Sequence, residues 1–375
     1  MTSRERVLCA VNHGMPDRMP IDIGSTTSTS VSAFAYARLL DHLGHPAGPI
    51  TIADMIQFLP DISEAVRKRF RADAILLHPA WTALKPWSPR SGYEFMVPAT
   101  AKLTPHPSGG WELENPGGGT SRMPDGGFFF DGSWGRIDER SPEEYFDAMA
   151  AEAKRLYEET DYYIGWGGFP NYFSNQPDWL CELMLEPENI AARNREALAF
   201  AKDKLLAVVA ACGDAIQDIR ISDDMGTQQG PMCRPEIMER EIAPFYKEFC
   251  AFVRENSPYK VHLHCCGSIL PLIPMLADCG IDILDPVQIS ANNMAPEDLK
   301  AACRGKIALW GGGANPQHFL DSASPEEVRA HVRGNINVFK PGGGYVFAPV
   351  HNIQGNVPPE NIVAMYDAAH EMAAY

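Results

Sequence analysis

A chain of 375 residues with 45% hydrophobic and 21% charged residues has the composition of a globular protein, which excludes extensive disorder. The net charge of −16 disfavours nucleic acid and anionic membranes as partners, although a local pocket can still hold an anionic small molecule. The nine cysteines show no pairing framework, which favours the reducing cytoplasm. We expect neither a membrane span nor a secretory leader, because no sufficiently long apolar segment is present.

The chain opens on a predicted short helix, since Thr2 and Glu5 match a capping box. Short apolar runs then alternate with longer amphipathic segments, and the runs are residues 19–24, 74–79, 162–168, 216–224, 259–267, 281–288, 306–313 and 344–352. Strands separated by helices pair in parallel through crossover connections, and eight such strands close a barrel. We therefore predict a single α/β domain over residues 1–375, a (β/α)8 TIM barrel, with a doubly wound open sheet as the alternative.

Residues 94–140 interrupt this alternation. They are rich in Gly and Pro, and they include the aromatic segment GGFFFDGSWG at 126–135. We predict a β-hairpin insertion between the second and third barrel strands, packed over the barrel rather than forming a second domain.

Polar residues collect where the predicted strands end, which is where barrel enzymes carry their catalytic groups. The alternative is that strand ends are polar only because loops begin there. The strand-end residues that we expect to contact a substrate are His78, Trp166, Gln288, Trp310 and Asn352.

The fifth run, YKVHLHCCG, indicates a metal site. Because side chains alternate along a strand, His262, His264 and Cys266 share one face, while Leu263 and Cys265 share the other. The face toward the helices is the more apolar one, so we expect His264 and Cys266 to point into the barrel mouth. A thiolate and an imidazole are good zinc ligands, although such a pair also occurs by chance.

Further candidates end the fourth and eighth runs. His351 is a candidate third ligand that would leave one zinc position open, or else a histidine that orients substrate. Asp223 and Asp224 are candidates for acid–base catalysis or for bonding to a metal ligand, unless they only cap the following loop. If Ile219 and Ile221 face the helices, alternation directs Asp224 inward, so we favour it over Asp223.

Four segments together resemble the uroporphyrinogen decarboxylase superfamily, and within it the cobalamin-dependent methyltransferase branch. They occur in the family's order, and they are RERVLCAVNHGMPDRMPIDIG (4–24), ISDDMGTQQGPMCRPEIMEREIAPFYKEF (221–249), HLHCCGSI (262–269) and APVHNIQGNVPPENIVAMYDAA (348–369).

The resemblance implies zinc bound by His264, by Cys266 and by a residue of the last barrel strand. That residue is a cysteine in methylcobamide:coenzyme M methyltransferases, whereas the matching position here is His351. Decarboxylases of the superfamily also carry a histidine there but lack the metal. Their arginine-rich segment, which clamps porphyrin carboxylates, corresponds here to residues 22–34, which contain no Arg. The resemblance therefore argues against a porphyrin substrate.

The remaining resemblance is to methyltransferase components of O-demethylase systems. It implies transfer of a methyl group from a small donor, such as an aromatic methyl ether, to Co(I) of a corrinoid. Because the chain has no Asp-x-His-x-x-Gly cobalamin motif, we expect the corrinoid on a separate protein. The alternatives are a metal-free decarboxylase that uses Asp223 or Asp224, a methylcobamide:thiol methyltransferase, or a non-catalytic ligand-binding barrel. A homodimer is compatible with each of them.

Overall fold

The computed structural model describes residues 1–45, 48–116, 118–132, 137–316 and 318–375. The α-helices of these residues are α1 (Ser3–Val11), α2 (Ala33–His42), α3 (Glu64–Arg69), α4 (Pro142–Glu159), α5 (Pro177–Leu185), α6 (Pro187–Cys212), α7 (Pro235–Glu241), α8 (Ala243–Asn256), α9 (Ile273–Cys279), α10 (Pro296–Cys303), α11 (Pro325–Phe339) and α12 (Pro359–Glu371). Short 3-10 helices span Gly213–Ala215 and Leu270–Leu272.

The strands of the same residues are β1 (Ile50–Asp54), β2 (Leu59–Pro60), β3 (Ala74–Ile75), β4 (Leu84–Trp87), β5 (Phe95–Pro98), β6 (Lys102–Pro105), β7 (Trp111–Glu114), β8 (Thr120–Met123), β9 (Asp131–Gly132), β10 (Tyr163–Trp166), β11 (Asp218–Ser222), β12 (Lys260–His264), β13 (Ile283–Asp285), β14 (Ala308–Trp310) and β15 (Tyr345–Val346).

A curled sheet of seven parallel strands, a half-barrel, forms the centre of this α/β fold. Its strands are ordered β15-β14-β13-β12-β11-β10-β3. The order follows the chain without a reversal, whereas a doubly wound sheet reverses direction at a switch point. The parallel pairing confirms the predicted α/β class, and the curvature is consistent with a TIM-like fold.

The first predicted strand, residues 19–24, is reduced to a single bridge. Ile21 pairs in parallel with Phe347, just after β15. On its other side, the Ile21 carbonyl accepts the N–H of Asp73 at 2.7 Å, just before β3. This segment therefore lies between the two edge strands of the sheet. Pro20 has no N–H to donate, which limits regular pairing there.

Two apolar layers enclose the sheet. Alternate strand residues such as Ile219, Leu263 and Leu284 face the surrounding helices, in one large core. The opposite residues, including Tyr163 and Trp310, form a smaller interior core. Helix α1 covers the end of this interior core that lies near the amino termini of the strands, and its capping box at Thr2 and Glu5 is formed as predicted.

The region between β3 and β10 contains more than the predicted hairpin. Strand β5 pairs with β4 and with β1, in a four-stranded sheet ordered β2-β1-β5-β4. Strands β6 to β9 form a second, antiparallel sheet. Side chains of this region pack into a buried aromatic core with edge-on ring contacts. The core contains Phe34, Phe58, Trp87, Phe95 and Phe130. The single hairpin is therefore not confirmed, and its residues 133–136 lie outside the described residues.

Within the described ranges, no helix combines the length and the apolarity needed to cross a membrane.

The buried carboxylate of Asp73 ties the N-terminal region to the sheet. It accepts hydrogen bonds from Arg6 Nη1 at 2.6 Å, from Arg18 Nη1 at 2.7 Å and from Ser3 Oγ at 2.8 Å. The N–H of Ile21 also donates to it, at 2.9 Å. Removing this carboxylate would leave two arginines without their shared partner.

We expect Asp73→Ala to lower the free energy of unfolding by about 3–5 kcal/mol, the usual cost of breaking a buried ion pair. Urea denaturation measures this change. Glu159→Ala is the control, because the ion pair between Glu159 and Arg155 is exposed and its loss should cost about 1 kcal/mol or less. Equal losses in the two variants would contradict the structural role of Asp73.

Candidate active site and metal centre

Three ligand-type side chains meet at the carboxyl-terminal edge of the sheet. His264 ends β12, Cys266 follows two residues later, and His351 lies in the loop after β15. One ligand atom from each lies within 4.8 Å of the others. The Cys266 Sγ is 3.4 Å from His264 Nε2, and the two histidine rings are 6.1 Å apart, centre to centre. The structure thus brings together the three residues predicted as metal ligands.

Strand alternation accounts for the choice of cysteine. Leu263 and Cys265 are buried in the helix-facing core, where the Cys265 Sγ accepts the N–H of Met225 at 3.3 Å. Burial raises the pKa of the Cys265 thiol well above its usual range. His262 lies one layer deeper than His264, as predicted, with Nδ1 3.1 Å from Asp218 Oδ2.

Gly267 lets the chain leave the strand directly after Cys266. Its φ of 93° lies in the left-handed region, and a Cβ there would lie 2.4 Å from the carbonyl carbon of Gly226. At this point the loops after β11 and β12 approach so closely that only glycine fits at both positions.

The two acidic residues that follow β11 have different environments. Asp224 Oδ1 accepts the N–H of Cys266 at 2.8 Å and lies 3.6 Å from His264 Nε2, with 39% of the Asp224 side chain exposed. Asp223 is fully buried, and it accepts the N–H of Tyr172 at 3.0 Å and the hydroxyl of Tyr246. Burial raises the pKa of Asp223 to about 7. Of the two carboxylates, only that of Asp224 adjoins the ligand group, as alternation predicts.

Asp285, at the end of β13, lies next to the His264 ring on its Nδ1 side. Its Oδ2 lies 3.8 Å from His264 Nδ1, and it accepts the Ser28 hydroxyl at 2.6 Å and the Thr26 hydroxyl at 3.4 Å. Asp285 lies within the sixth predicted run, residues 281–288, but no role was predicted for it from the sequence. Alternation from the inward-facing Ile283 would have directed it to the same face.

The charges of the group favour the thiolate. Burial alone would lower the pKa of His264, but Asp285 and Cys266 outweigh it and hold that pKa well above its usual range. Burial alone would raise the pKa of Cys266, but His264 and His351 outweigh it and lower that pKa. Burial alone would lower the pKa of His351 as well, but its contact with Cys266 outweighs burial and raises that pKa. The thiolate is the form of cysteine that binds metals.

Two of the five predicted substrate contacts lie beside the ligand group. Gln288 Oε1 accepts the N–H of Gly267 at 2.7 Å, and Asn352 Oδ1 is 2.8 Å from His351 Nδ1. Both side chains thus contact the segments that carry the ligands.

The structure does not bring the two predicted tryptophans to the group. Trp166 is buried on the helix side, where it packs against Phe146. Trp310 is buried in the interior core, and its Nε1 donates to Asp22 Oδ2 at 2.9 Å. His78 is half-buried against Trp81, and burial lowers its pKa to about 4, which keeps the ring neutral.

The donor set fits zinc. A tetrahedral zinc ion holds a histidine nitrogen and a cysteine sulfur about 3.6 Å apart, given the usual bond lengths. The observed separation between His264 Nε2 and Cys266 Sγ is 3.4 Å. Three protein ligands are also the number that catalytic zinc sites use, since the fourth position is kept for substrate or water.

A family model described as uroporphyrinogen decarboxylase (URO-D) matches residues 174–372, which contain all three ligand-type residues. The chain belongs to the uroporphyrinogen decarboxylase family. A uroporphyrinogen decarboxylase from Vibrio campbellii is 39% identical over 77 residues, which are 20% of this chain and 21% of the relative. Another, from Pseudoalteromonas atlantica, is 26% identical over 220 residues, which are 54% of this chain and 58% of the relative. The chain thus spans less than two thirds of either relative.

One solved structure has the same fold as this chain over nearly the whole length of both proteins. It is a methyltransferase from Methanosarcina mazei, with a TM-score of 0.56, 17% sequence identity, and coverage of 99% of both chains. At this identity the comparison establishes the common fold.

We expect Cys266→Ala to lose most of the bound zinc, because it removes the only thiolate of the three-residue group. Cys265→Ala is the matched control and should keep the metal, since Cys265 faces the helices. Metal analysis by mass spectrometry, on protein purified without chelator, measures both. Equal zinc contents in the two variants would refute the assignment by strand alternation.

Proposed function

We propose that this chain is a zinc-dependent methyltransferase that moves a methyl group from a small donor to the Co(I) of a corrinoid on a separate protein. The observation that carries the proposal is the group of His264, Cys266 and His351 at the carboxyl-terminal edge of the sheet. Its support is the family membership and the fold shared with a methyltransferase. The donor class that we favour is an aromatic methyl ether.

His264, Cys266 and His351 would hold the zinc. When bound, zinc supplies a Lewis acid that makes the ether oxygen of the donor a better leaving group. The remaining chemistry depends on Asp224, which adjoins two of the ligands and is 39% exposed. We propose that Asp224 carries the proton that the leaving oxygen takes up.

The reaction balances without an oxidant or a further reductant. The bond between the methyl carbon and oxygen breaks, and its electron pair stays on oxygen, which then takes up a proton. The methyl carbon forms its new bond with the electron pair of Co(I). We propose that the corrinoid of the partner protein approaches the group from its open side, where 21% of the His264 side chain is exposed. We place the reaction in the cytoplasm, whose reducing conditions keep cysteines as thiols. In agreement, all nine cysteines, each of them in a described range, are free.

A metal-free decarboxylase is the second candidate, and the two curated relatives favour it, since both are uroporphyrinogen decarboxylases. One observation weighs against it: residues 22–34 contain no arginine that could clamp porphyrin carboxylates. A decarboxylase of this kind would have to use Asp224, because Asp223 is buried and bonded to Tyr246 and to backbone.

An anaerobic assay tests the proposal. The protein is mixed with a methoxylated aromatic compound and a purified corrinoid protein reduced to Co(I). We expect the Co(I) absorbance to disappear only when both enzyme and donor are present. Asp224→Asn should slow this reaction by about 100-fold or more, the usual contribution of an acid–base group, with zinc content unchanged. Release of CO2 from a carboxylated substrate without any corrinoid would favour the decarboxylase instead.

We expect the His351 side chain to contribute more to zinc binding than to the thermal stability of the fold. We expect His351→Ala to lower zinc occupancy and abolish methyl transfer, with a melting temperature within a few degrees of the unmodified protein. His351→Cys is the control, because it replaces an imidazole with another zinc ligand and should retain the metal. Unchanged zinc in His351→Ala, with activity lost, would make His351 a substrate-orienting residue.

A further inference from the structure

The side chain of Asn352 is surrounded by defined hydrogen-bond partners. Gln354 Nε2 lies 3.1 Å from the backbone carbonyl oxygen of Asn352 and 2.7 Å from its Oδ1. On the other side, Asn352 Nδ2 donates to Gln57 Oε1 at 2.6 Å. Oδ1 is also 2.8 Å from Nδ1 of His351. All polar atoms of this buried amide are therefore engaged within the protein.

These contacts determine which atom donates in each pair. A backbone carbonyl oxygen can only accept, so the group of Gln354 that faces it must be the amide NH2. The same NH2 group faces the Asn352 side chain, whose facing atom is therefore the oxygen. An amide oxygen also only accepts, so His351 Nδ1 must carry the hydrogen in its contact with Asn352.

We propose that Asn352 is a positioning residue that keeps a proton on His351 Nδ1 and leaves Nε2 as the metal-binding nitrogen. This inference rests on the proposed zinc function. The opposite tautomer would set the lone pair of Nδ1 against that of the Asn352 oxygen, inside a buried network. A ligating histidine commonly donates its other ring N–H to an oxygen acceptor, which fixes both its tautomer and its orientation.

The assignment changes the role expected from sequence, where Asn352 was a candidate substrate contact. Its two polar side-chain atoms are occupied by His351, Gln354 and Gln57. Contact with a substrate would require breaking one of these bonds. The amide therefore acts on the ligand group through His351.

Zinc affinity, measured by competition with a chromophoric chelator, tests the proposal. We expect Asn352→Ala to weaken zinc binding by about 10- to 100-fold, the usual effect of losing a partner of a ligating histidine. Asn352→Asp should restore most of the affinity, because a carboxylate accepts the same hydrogen bond. Asn335→Ala is the matched control: this buried amide bonds to the carbonyls of Gly312 and Gly313, and the variant should bind zinc normally.

A double-mutant cycle separates positioning from general disruption. In a His351→Ala background, Asn352→Ala should cause no further loss of zinc affinity, since its effect passes through the removed ring. The same fold-loss in both backgrounds would overturn the proposal. So would unchanged affinity of Asn352→Ala in the otherwise unmodified protein.

Nitrogen-15 NMR of histidine-labelled protein without metal gives a readout that does not depend on zinc. His351 should show a proton on Nδ1 that exchanges slowly with water, and Asn352→Ala should lose this protection. If the protein shows this signal but binds no zinc, the zinc-dependent function fails while the orientation of His351 stands. If zinc binds and His351 carries its proton on Nε2, the inference about Asn352 fails while the metal site stands.

Discussion

The register between β12 and its two neighbours determines where chemistry can occur in this protein. Parallel pairing places Ser222 beside His264, and His264 beside Asp285. Because the three strands end at the same edge, the residues after them share one small volume. Asp224 in the loop after β11, His264 at the end of β12 and Asp285 at the end of β13 therefore lie close together. The register of the three strands is sufficient to place them there.

A strand period of two was enough to predict the inward-facing residues on β11 and β12. It favoured Cys266 over Cys265 and Asp224 over Asp223, and the contacts of all four agree. The principle works here because each strand has one face against helices and the other against the interior. A one-residue error in register would have reversed every such assignment.

The aromatic residues show where the same reasoning ends. Trp166 lies at a strand end, but it is on the helix-facing side of β10, where the large core covers it. Trp310 faces inward but lies too deep, beside His262. A position at a strand end does not show how far a side chain lies from the ligand group along the strand direction. That distance depends on how far each strand extends relative to its neighbours. The two additional sheets were also beyond prediction, because β5, which follows β3 in the chain, pairs with β1, which precedes it.

The glycine contact between the loops after β11 and β12 has an evolutionary consequence. A Cβ on Gly226 would lie 2.7 Å from the carbonyl oxygen of Cys266, and one on Gly267 would lie still closer to Gly226. Any side chain at either position would push apart the loop that carries Asp224 and the loop that carries Cys266. Mutations there cannot accumulate gradually, since each one alone disrupts the site. We expect natural variants of this protein to keep both glycines as a pair.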